Sequence, residues 1–258
     1  MIKITIILLA NMAFFSFISN AQKSKEFYQV TLYHFTSSEQ EHSIDTYLKD
    51  AYLPALRKKG IKNIGVFKPL SNDTSVDKKI YMLIPLKTLH QIVDIAEQLS
   101  KDKQFLQDGK EYLDAAFKNP PYTRMENIII KAFPLAPMMN IPKLTGPTQE
   151  RIYELRSYEG PTENLYMNKV QMFNQGGEIS LFKRLNFNAI FYGGVIAGSR
   201  MPNLMYMTSF ENMADRDTHW KTFGADPEWK KLSALPEYQN NVSRNETILM
   251  HATDYSEY

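Results

Sequence analysis

A repeated pattern of residues constrains the fold of this chain more than any other feature of its sequence. The run Tyr28–Tyr33 reads YQVTLY, and the later run Tyr153–Tyr158 reads YELRSY. In both runs apolar and polar residues alternate, which is the period of a strand with one buried face. Because further segments follow each run in the same order, the sequence predicts two copies of one structural unit.

Each copy continues with a helix, two strands, more helical sequence and a final strand. Gly60 and Asn186 end the first helices, because these residue types tolerate the left-handed conformation that follows a helix. In the first copy, Ser38 and Glu41 form a predicted capping box, and Pro54 predicts a kink. The order β-α-β-β-α-β, present twice, is that of the ferredoxin-like fold. The remaining predicted strands cover 61–67, 80–86, 125–133, 187–196, 204–210 and 245–252.

The sequence divides into two domains and a linker. We predict a first ferredoxin-like domain at residues 22–135, a linker at 136–149 and a second ferredoxin-like domain at 150–258. The segment Pro134–Gln149 contains four prolines and has no hydrophobic periodicity, which is typical of a connecting segment.

Residues 1–21 have the pattern of a secretory signal peptide. Lys3 precedes an apolar run from Ile4 to Ile18, and small residues lead to a cleavage site after Ala21. The run is interrupted by polar residues and lacks a flanking charge cluster, so it suits a cleaved signal better than a membrane span. We therefore expect an exported protein, periplasmic or extracellular, with no membrane span after cleavage.

Composition excludes several kinds of site. The chain has no cysteine, so disulfides, thiolate metal sites and cysteine nucleophiles are excluded. A net charge of +2 gives no electrostatic reason to expect nucleic acid as a partner. The five histidines lack metal-site spacing, and we find no phosphate loop or nucleophile elbow. The motifs therefore predict neither a metal site nor a catalytic residue.

Strand alternation predicts which side chains face the helices. We expect Tyr28, Val30 and Leu32 beneath the helices of the first unit, with Tyr153, Leu155 and Ser157 in the same position in the second. Because the opposite sheet faces also need cover, we predict α+β units packed sheet to sheet, as one barrel-like pseudo-dimer within the chain. These opposite faces would carry Gln29, Thr31, Tyr33, Glu154, Arg156 and Tyr158.

Glu154 and Arg156 are candidate ligand-binding residues. They lie about 6.6 Å apart along one strand face. With Tyr158 and Tyr33 they would form the polar wall of a cavity between the two sheets. A structural ion pair that satisfies itself at the same place is the simpler interpretation, since buried pairs are common without any ligand.

His219 and Trp220 are adjacent candidates on a helix of the second unit. A helical histidine that faces a cavity is able to bind haem iron. A lone histidine is more often an ordinary surface or hydrogen-bonded residue, so haem is the weaker interpretation and no other cofactor is expected.

The second unit resembles the NIPSNAP family. The run RIYELRSY at Arg151–Tyr158 is similar to the opening strand of that family, which has a Y-E-L-R pattern. Segments Phe191–Gly193, Pro202–Met207 and Asp226–Trp229 follow in the order and spacing of the same family. The resemblance covers about residues 150–258, and the first unit joins it only through the internal repeat.

The resemblance implies a dimeric α+β barrel and little defined chemistry. Family members are described mostly as interaction or trafficking-associated proteins. Proteins that share the barrel include cofactor-independent monooxygenases and haem-binding or haem-degrading proteins. In the first unit, Gln29 and Thr31 replace the glutamate and arginine of the motif, so a function tied to that pair is not expected there.

Two functions follow from the sequence. The first is an exported binding or interaction protein that holds a small ligand between its two sheets, with an unidentified protein or small molecule as partner. The alternative is a barrel monooxygenase or haem enzyme with His219, Trp220 and Tyr158 at its cavity. Pairing of the pseudo-dimer into a homo-oligomer is compatible with both.

Overall fold

Eight antiparallel strands form a closed barrel in the computed structural model, which describes residues 25–258. The predicted signal peptide, residues 1–21, lies outside the described residues. The strands are β1 Phe27–Phe35, β2 Gly65–Pro69, β3 Lys78–Leu86, β4 Arg124–Ala132, β5 Ile152–Glu159, β6 Asn188–Ala197, β7 Asn203–Phe210 and β8 Arg244–Ala252. Their order around the barrel is β1-β3-β2-β8-β5-β7-β6-β4.

The barrel is two four-stranded sheets joined at both edges. The first sheet has the order β4-β1-β3-β2 and the second has the equivalent order β8-β5-β7-β6, and each is that of a ferredoxin-like unit. One seam pairs β2 with β8, and the other pairs β4 with β6. The predicted α+β fold class, with two tandem βαββαβ units in one barrel, is confirmed.

Helices cover the outside of both sheets. Two of the predicted helix ends are present, since Gly60 has φ 81° and Asn186 has φ 58°. In the first half the helices are α1 Ser38–Thr46, a π-helical turn Tyr47–Tyr52, α2 Leu53–Lys58, α3 His90–Leu99, α4 Lys103–Asp108 and α5 Lys110–Leu113. In the second half they are α6 Glu163–Phe173, α7 Glu178–Arg184, α8 Met213–Ala225 and α9 Pro227–Ser233.

One of two local predictions for the first helix needs correction. The capping residue is Ser37, whose hydroxyl accepts from the Gln40 amide at 3.3 Å, so the cap begins one residue before the predicted Ser38. Pro54 lies inside continuous helical backbone from Ser38 to Lys58, directly after the π-helical turn. A proline in a helix interior removes one i→i−4 hydrogen bond, and the irregular π-helical turn occurs at this point of the helix.

The strand faces are the reverse of our prediction. Tyr28, Val30 and Leu32 form one apolar cluster with Tyr153 and Leu155 of the other half, so this face lines the barrel interior. The two sheets therefore enclose a common interior, but it is the apolar face of each strand that points inward. The polar face, which carries Glu154 and Arg156, lies under the helices, where α8 supplies its partners.

The linker follows the barrel surface and is held by hydrogen bonds. The Glu26 amide donates to the Pro137 carbonyl at 2.8 Å, and the Asn140 amide donates to the Ile190 carbonyl at 2.8 Å. Further along, the Glu211 carboxylate accepts from the amide of Gly146 at 2.6 Å. Among residues 25–258, the helices are all too short or too polar to cross a membrane.

Candidate functional site

The carboxylate of Glu154 is the centre of a closed polar cluster in the second half. Glu154 is fully buried, and Nε of Arg156 donates to its Oε1 at 2.5 Å. Its other oxygen accepts from Nε of Arg216 at 2.6 Å and from the indole N–H of Trp220 at 2.9 Å. Both oxygens are therefore engaged by protein groups, which is the arrangement of a satisfied structural ion pair.

Tyr158 and Trp220 extend the same cluster. Arg156 donates to the Tyr158 hydroxyl at 3.2 Å, and that hydroxyl lies 2.9 Å from the hydroxyl of Tyr206. The guanidinium carbon of Arg156 lies 3.8 Å from the centre of the Trp220 ring, a cation–π contact. The structure thus brings Glu154, Arg156, Tyr158 and Trp220 together, but between the second sheet and its helices.

Aromatic side chains fill the space beside this cluster. Phe182 packs 4.8 Å from Phe187 and 4.9 Å from Phe223, measured between ring centroids, and Trp220 lies 5.0 Å from Phe187. A buried ion pair between Lys169 and Glu178, 2.9 Å apart, occupies the neighbouring position. The underside of the second-half helices is therefore a packed core.

His219 stands apart from the cluster. Its ring packs against Phe187 and Phe210, at centroid distances of 5.3 and 5.7 Å, and its Nδ1 lies 2.9 Å from the Asp215 carbonyl. A haem ligand needs a free ring nitrogen that faces a cavity large enough for the macrocycle. The packed aromatic surroundings of His219 do not fit that group, so the structure gives no support to the haem alternative.

An open cavity occupies the equivalent place in the first half. It measures about 570 Å³ and lies between β1, β3 and β4 on one side and the helices of this half on the other. Tyr33 is the one predicted site residue that lines it. We call it the tyrosine cavity, because five tyrosines take part in its lining: Tyr33, Tyr47, Tyr52, Tyr112 and Tyr122.

Helix α3 explains why this space stays open. Its apolar residues Ile92, Ile95 and Leu99 recur at helical spacing, which is the pattern of a helix that buries one face. Only Leu99 is buried, and all three side chains line the tyrosine cavity. The apolar face of α3 therefore points at the first sheet, where Ile92 and Ile95 contact the core but stay only partly buried beside the cavity.

The floor of the tyrosine cavity is an amide and hydroxyl network. Thr31 donates to Oδ1 of Asn127 at 2.7 Å, and Nε2 of Gln29 donates to the same oxygen at 3.0 Å. Gln29 and Thr31 are the residues that replace Glu154 and Arg156 in the repeat. The lining of this cavity contains no acidic, basic or histidine side chain.

Burial raises the pKa values of four tyrosines of the cavity. It raises the pKa of Tyr33 well above the ordinary 10.0, with the neighbouring tyrosines adding to the effect, and raises the pKa of Tyr52 to about 12. Burial also raises the pKa values of Tyr47 and Tyr112. At neutral pH these side chains are therefore neutral phenols with a proton to donate.

Sequence reasoning missed four of the five tyrosines. Tyr47 and Tyr52 lie on the π-helical turn, Tyr112 lies on α5 and Tyr122 precedes β4, so no common spacing links them. The apolar stripe of α3 was the one available signal for the cavity. Such a stripe predicts that a helix face is buried, but it does not predict whether protein side chains or a ligand bury it.

A second cavity is lined by charged residues, and several of these are already paired with one another. It measures about 500 Å³ beside the β2–β8 seam, and there Lys68 binds Asp45 at 2.6 Å and the Tyr255 hydroxyl donates to Asp45 at 2.5 Å. Within residues 25–258, no cluster of histidine and carboxylate side chains has a metal-binding arrangement. The tyrosine cavity is therefore the better candidate site.

The fold and this site define a class, that of duplicated ferredoxin-like α+β barrels in which one half keeps a cavity under its helices. The sequence model of the NIPSNAP family matches residues 153–257. The chain belongs to the NIPSNAP family through this second half, as the sequence motifs predicted. No curated protein matches the chain in sequence.

Solved structures show that the likeness in fold includes the first half. A proposed monooxygenase from Fusobacterium nucleatum subsp. nucleatum ATCC 25586 has 8% identity and a TM-score of 0.56, over 89% of this chain and 93% of that one. A proposed monooxygenase from Lactobacillus acidophilus NCFM has 9% identity and a TM-score of 0.53, over 88% and 94%. An anthrone oxidase-like protein has 8% identity and a TM-score of 0.52, over 90% and 93%. At such identities the likeness shows the fold alone.

Proposed function

We propose that this chain is an exported NIPSNAP family protein that binds a small, uncharged, largely apolar molecule in the tyrosine cavity. One observation carries the proposal: α3 directs an apolar face at a space of about 570 Å³ that no protein side chain fills. Cavities of about 300 to 1,000 Å³ with apolar walls and a few polar groups are typical of small-molecule sites.

The lining decides the character of the ligand. Apolar surface that a ligand removes from water contributes about 25 cal/mol per Å², which favours an apolar molecule against Ile92, Ile95 and Leu99. A charged ligand would lose its hydration without gaining an opposite charge, because the lining holds no ionisable acid or base apart from the tyrosines. The cavity therefore favours neutral molecules.

Fluorescence of N-phenyl-1-naphthylamine, an uncharged apolar probe, tests this proposal. We expect saturable enhancement with the wild-type protein, since the probe fits the cavity and its walls exclude water. The substitution Ile95→Trp places an indole into the cavity and should lower probe affinity at least about tenfold, which corresponds to 1.4 kcal/mol.

Val93→Trp is the matched control. Val93 lies on the same helix, but its side chain is 53% exposed and does not line the cavity. We expect this variant to bind the probe like the wild type. Absence of saturable binding, or equal losses in both variants, would contradict the proposal.

A second function, oxygenation of the bound molecule, is favoured by the fold of the solved relatives, which include proposed monooxygenases and an anthrone oxidase-like protein. Anthrone is then the substrate to test, and its oxidation by one O₂ gives anthraquinone and one water. Oxygen uptake should be faster with the wild type than with Ile95→Trp. Equal uptake with both proteins and with buffer alone would dispose of this second function.

Export is supported by the pattern of residues 1–21. Expression of the full chain in a Gram-negative host, followed by fractionation and amino-terminal sequencing, provides the test. The expected mature protein begins at Gln22 and leaves the cytoplasm. Retention of Met1 in the cytoplasmic fraction would refute export and leave the binding proposal intact.

A further inference from the structure

The five tyrosines of the cavity form a continuous chain of rings. Tyr47 is stacked with Tyr112 at a centroid distance of 3.9 Å and with Tyr52 at 5.5 Å. Tyr122 lies 5.8 Å from Tyr112 and 6.4 Å from Tyr33. Strand β1, the π-helical turn, α5 and the segment before β4 thus bring five phenols together around the cavity.

The hydroxyls of these rings have no hydrogen-bond partner among the protein atoms of residues 25–258. Their surroundings contrast with those of Tyr158, which donates or accepts within the polar cluster of the second half. These hydroxyls are not sealed from solvent, since the fully buried polar atoms without a partner in residues 25–258 belong to Tyr153, Thr208 and Asn241. A ligand that fills the cavity and excludes water would turn the phenols into buried donors, and each such donor costs about 1–3 kcal/mol unless the ligand supplies an acceptor.

We propose that the ligand carries a neutral carbonyl oxygen, as in a ketone or quinone, and that the tyrosine hydroxyls bind this oxygen. The inference rests on the proposed binding function and adds the chemical class of the ligand. A carbonyl oxygen has two lone pairs and no proton, so it accepts from two phenols at once. An anionic oxygen would accept as well, but the cavity supplies no cation to balance its charge.

The walls beyond the tyrosines suit the rest of such a molecule. Ile84 and Leu86 of β3 face Ile92 and Ile95 of α3 across the cavity, so the atoms around the carbonyl are apolar. Planar aromatic rings also stack favourably beside tyrosine. The class of ligand is thus an apolar, ring-bearing ketone or quinone.

The compounds 9-fluorenone and fluorene test the inference, because they differ by a carbonyl in place of a methylene group. Each is titrated against protein loaded with N-phenyl-1-naphthylamine. Two hydrogen bonds from neutral donors should make fluorenone bind about tenfold more tightly than fluorene. The infrared carbonyl stretch of bound fluorenone should also move to lower wavenumber than in an apolar solvent.

The double variant Tyr33→Phe/Tyr112→Phe removes hydroxyls and keeps the rings. It should lower fluorenone affinity toward that of fluorene and leave fluorene affinity unchanged. Tyr166→Phe, on α6 of the second half, removes a hydroxyl outside the cavity and should change neither affinity. Circular dichroism and the melting temperature confirm that the variants fold.

The outcomes separate the two proposals. Equal displacement of the probe by fluorenone and fluorene, or no displacement by either, overturns the carbonyl inference while probe binding stands. An unshifted carbonyl stretch in the wild-type complex also overturns it, independently of any variant. Failure of the probe itself to bind refutes the proposed function instead.

Discussion

Thr31 and Arg156 occupy equivalent positions in the two halves, and they decide what lies beneath the helices. Arg156 binds Glu154 on the same strand and packs against Trp220 of α8, and aromatic rings fill the remaining space. Thr31 is short and bonds only to its neighbours Gln29 and Asn127 on the first sheet. One half has thus become a closed core, and the other keeps a cavity.

Loss of the Glu154 carboxylate should destabilise the protein without affecting the cavity. Glu154→Ala leaves Arg156 and Arg216 without their shared partner, and removal of one member of a buried pair costs about 3–5 kcal/mol. Because both arginines are 19% exposed, we expect a loss of about 3 kcal/mol in the free energy of unfolding. Urea denaturation measures this change.

Glu228→Ala is the control for that variant. Glu228 binds Arg184 at 3.1 Å, but its side chain is 73% exposed, so its loss should cost less than about 1 kcal/mol. An unchanged stability in Glu154→Ala, combined with lost probe binding, would show that Glu154 serves a ligand and not the fold.

Gly193 should be essential to the seam between β4 and β6. A Cβ at this position would meet the side chain of Ile130 and lie 2.6 Å from the Lys131 carbonyl oxygen. We expect Gly193→Ala to lower the free energy of unfolding by about 1–3 kcal/mol, since overpacking forces the seam apart. Thermal unfolding monitored by circular dichroism checks the change.

Gly224→Ala is the control, and we do not expect it to lower the free energy of unfolding. Gly224 lies in α8 with open space around its Cβ position, so alanine should be neutral or stabilise by up to about 1 kcal/mol. If both alanine variants had the same effect, close approach at the seam would not be the reason for Gly193.

The order of strands was predictable because its signals are local. The strand signals are the alternating residues of Tyr28–Tyr33 and Tyr153–Tyr158, and the helix-end signals are Gly60 and Asn186. Such signals depend only on neighbouring residues, so they can be recognised without knowledge of the tertiary packing. The faces were not predictable by the same means. Because Glu154 is charged, the sequence predicts that it lies away from the helices. In the structure it is buried beneath them, because Arg216 and Trp220, which are distant in sequence, donate hydrogen bonds to its carboxylate.

The tyrosine cavity was also beyond local reasoning, for a different reason. The sequence predicts Tyr33 in a polar wall between the two sheets, whereas it lies under the helices with Tyr47 and Tyr112. Sequence patterns indicate that a face is apolar, but the volume left between two faces depends on the three-dimensional packing of α3.

Lys169 should be needed to keep Glu178 charged in the second-half core. Burial raises the pKa of Glu178, and Lys169 opposes that rise. Lys169→Met removes the positive charge that lowers the pKa of Glu178. The folded variant should therefore keep the Glu178 proton to a higher pH than the unfolded chain does. A raised folded pKa contributes stability that is present below the ordinary 4.5 and is lost as pH rises through the folded value.

Urea denaturation of this variant between pH 4.5 and 7.5 measures the effect. We expect the variant to lose about 3 kcal/mol relative to the wild type at neutral pH and less at acid pH. The double variant Lys169→Met/Glu178→Gln should lose the added pH dependence. Parallel pH profiles for Lys169→Met and the wild type would contradict this reading of the pair.

Glu211 should hold the linker in a pH-dependent way. Amide donors of Thr145 and Gly146 lower the pKa of its carboxyl below the ordinary 4.5. A lowered folded pKa contributes stability that is present above 4.5 and is lost as pH falls through the folded value. Hydrogen exchange at these two amides, corrected for intrinsic rates, should therefore accelerate as the solution is acidified.

Glu211→Gln identifies the carboxylate as the cause. A neutral amide accepts more weakly and does not titrate, so the variant should show faster exchange at neutral pH and little further change on acidification. Glu150→Gln, an exposed neighbour in the chain, should behave like the wild type. Because the linker also bonds through Arg151 to the Gly146 carbonyl, the barrel itself should stay folded throughout. Unchanged protection in Glu211→Gln would mean that Arg151, and not the carboxylate, holds this segment.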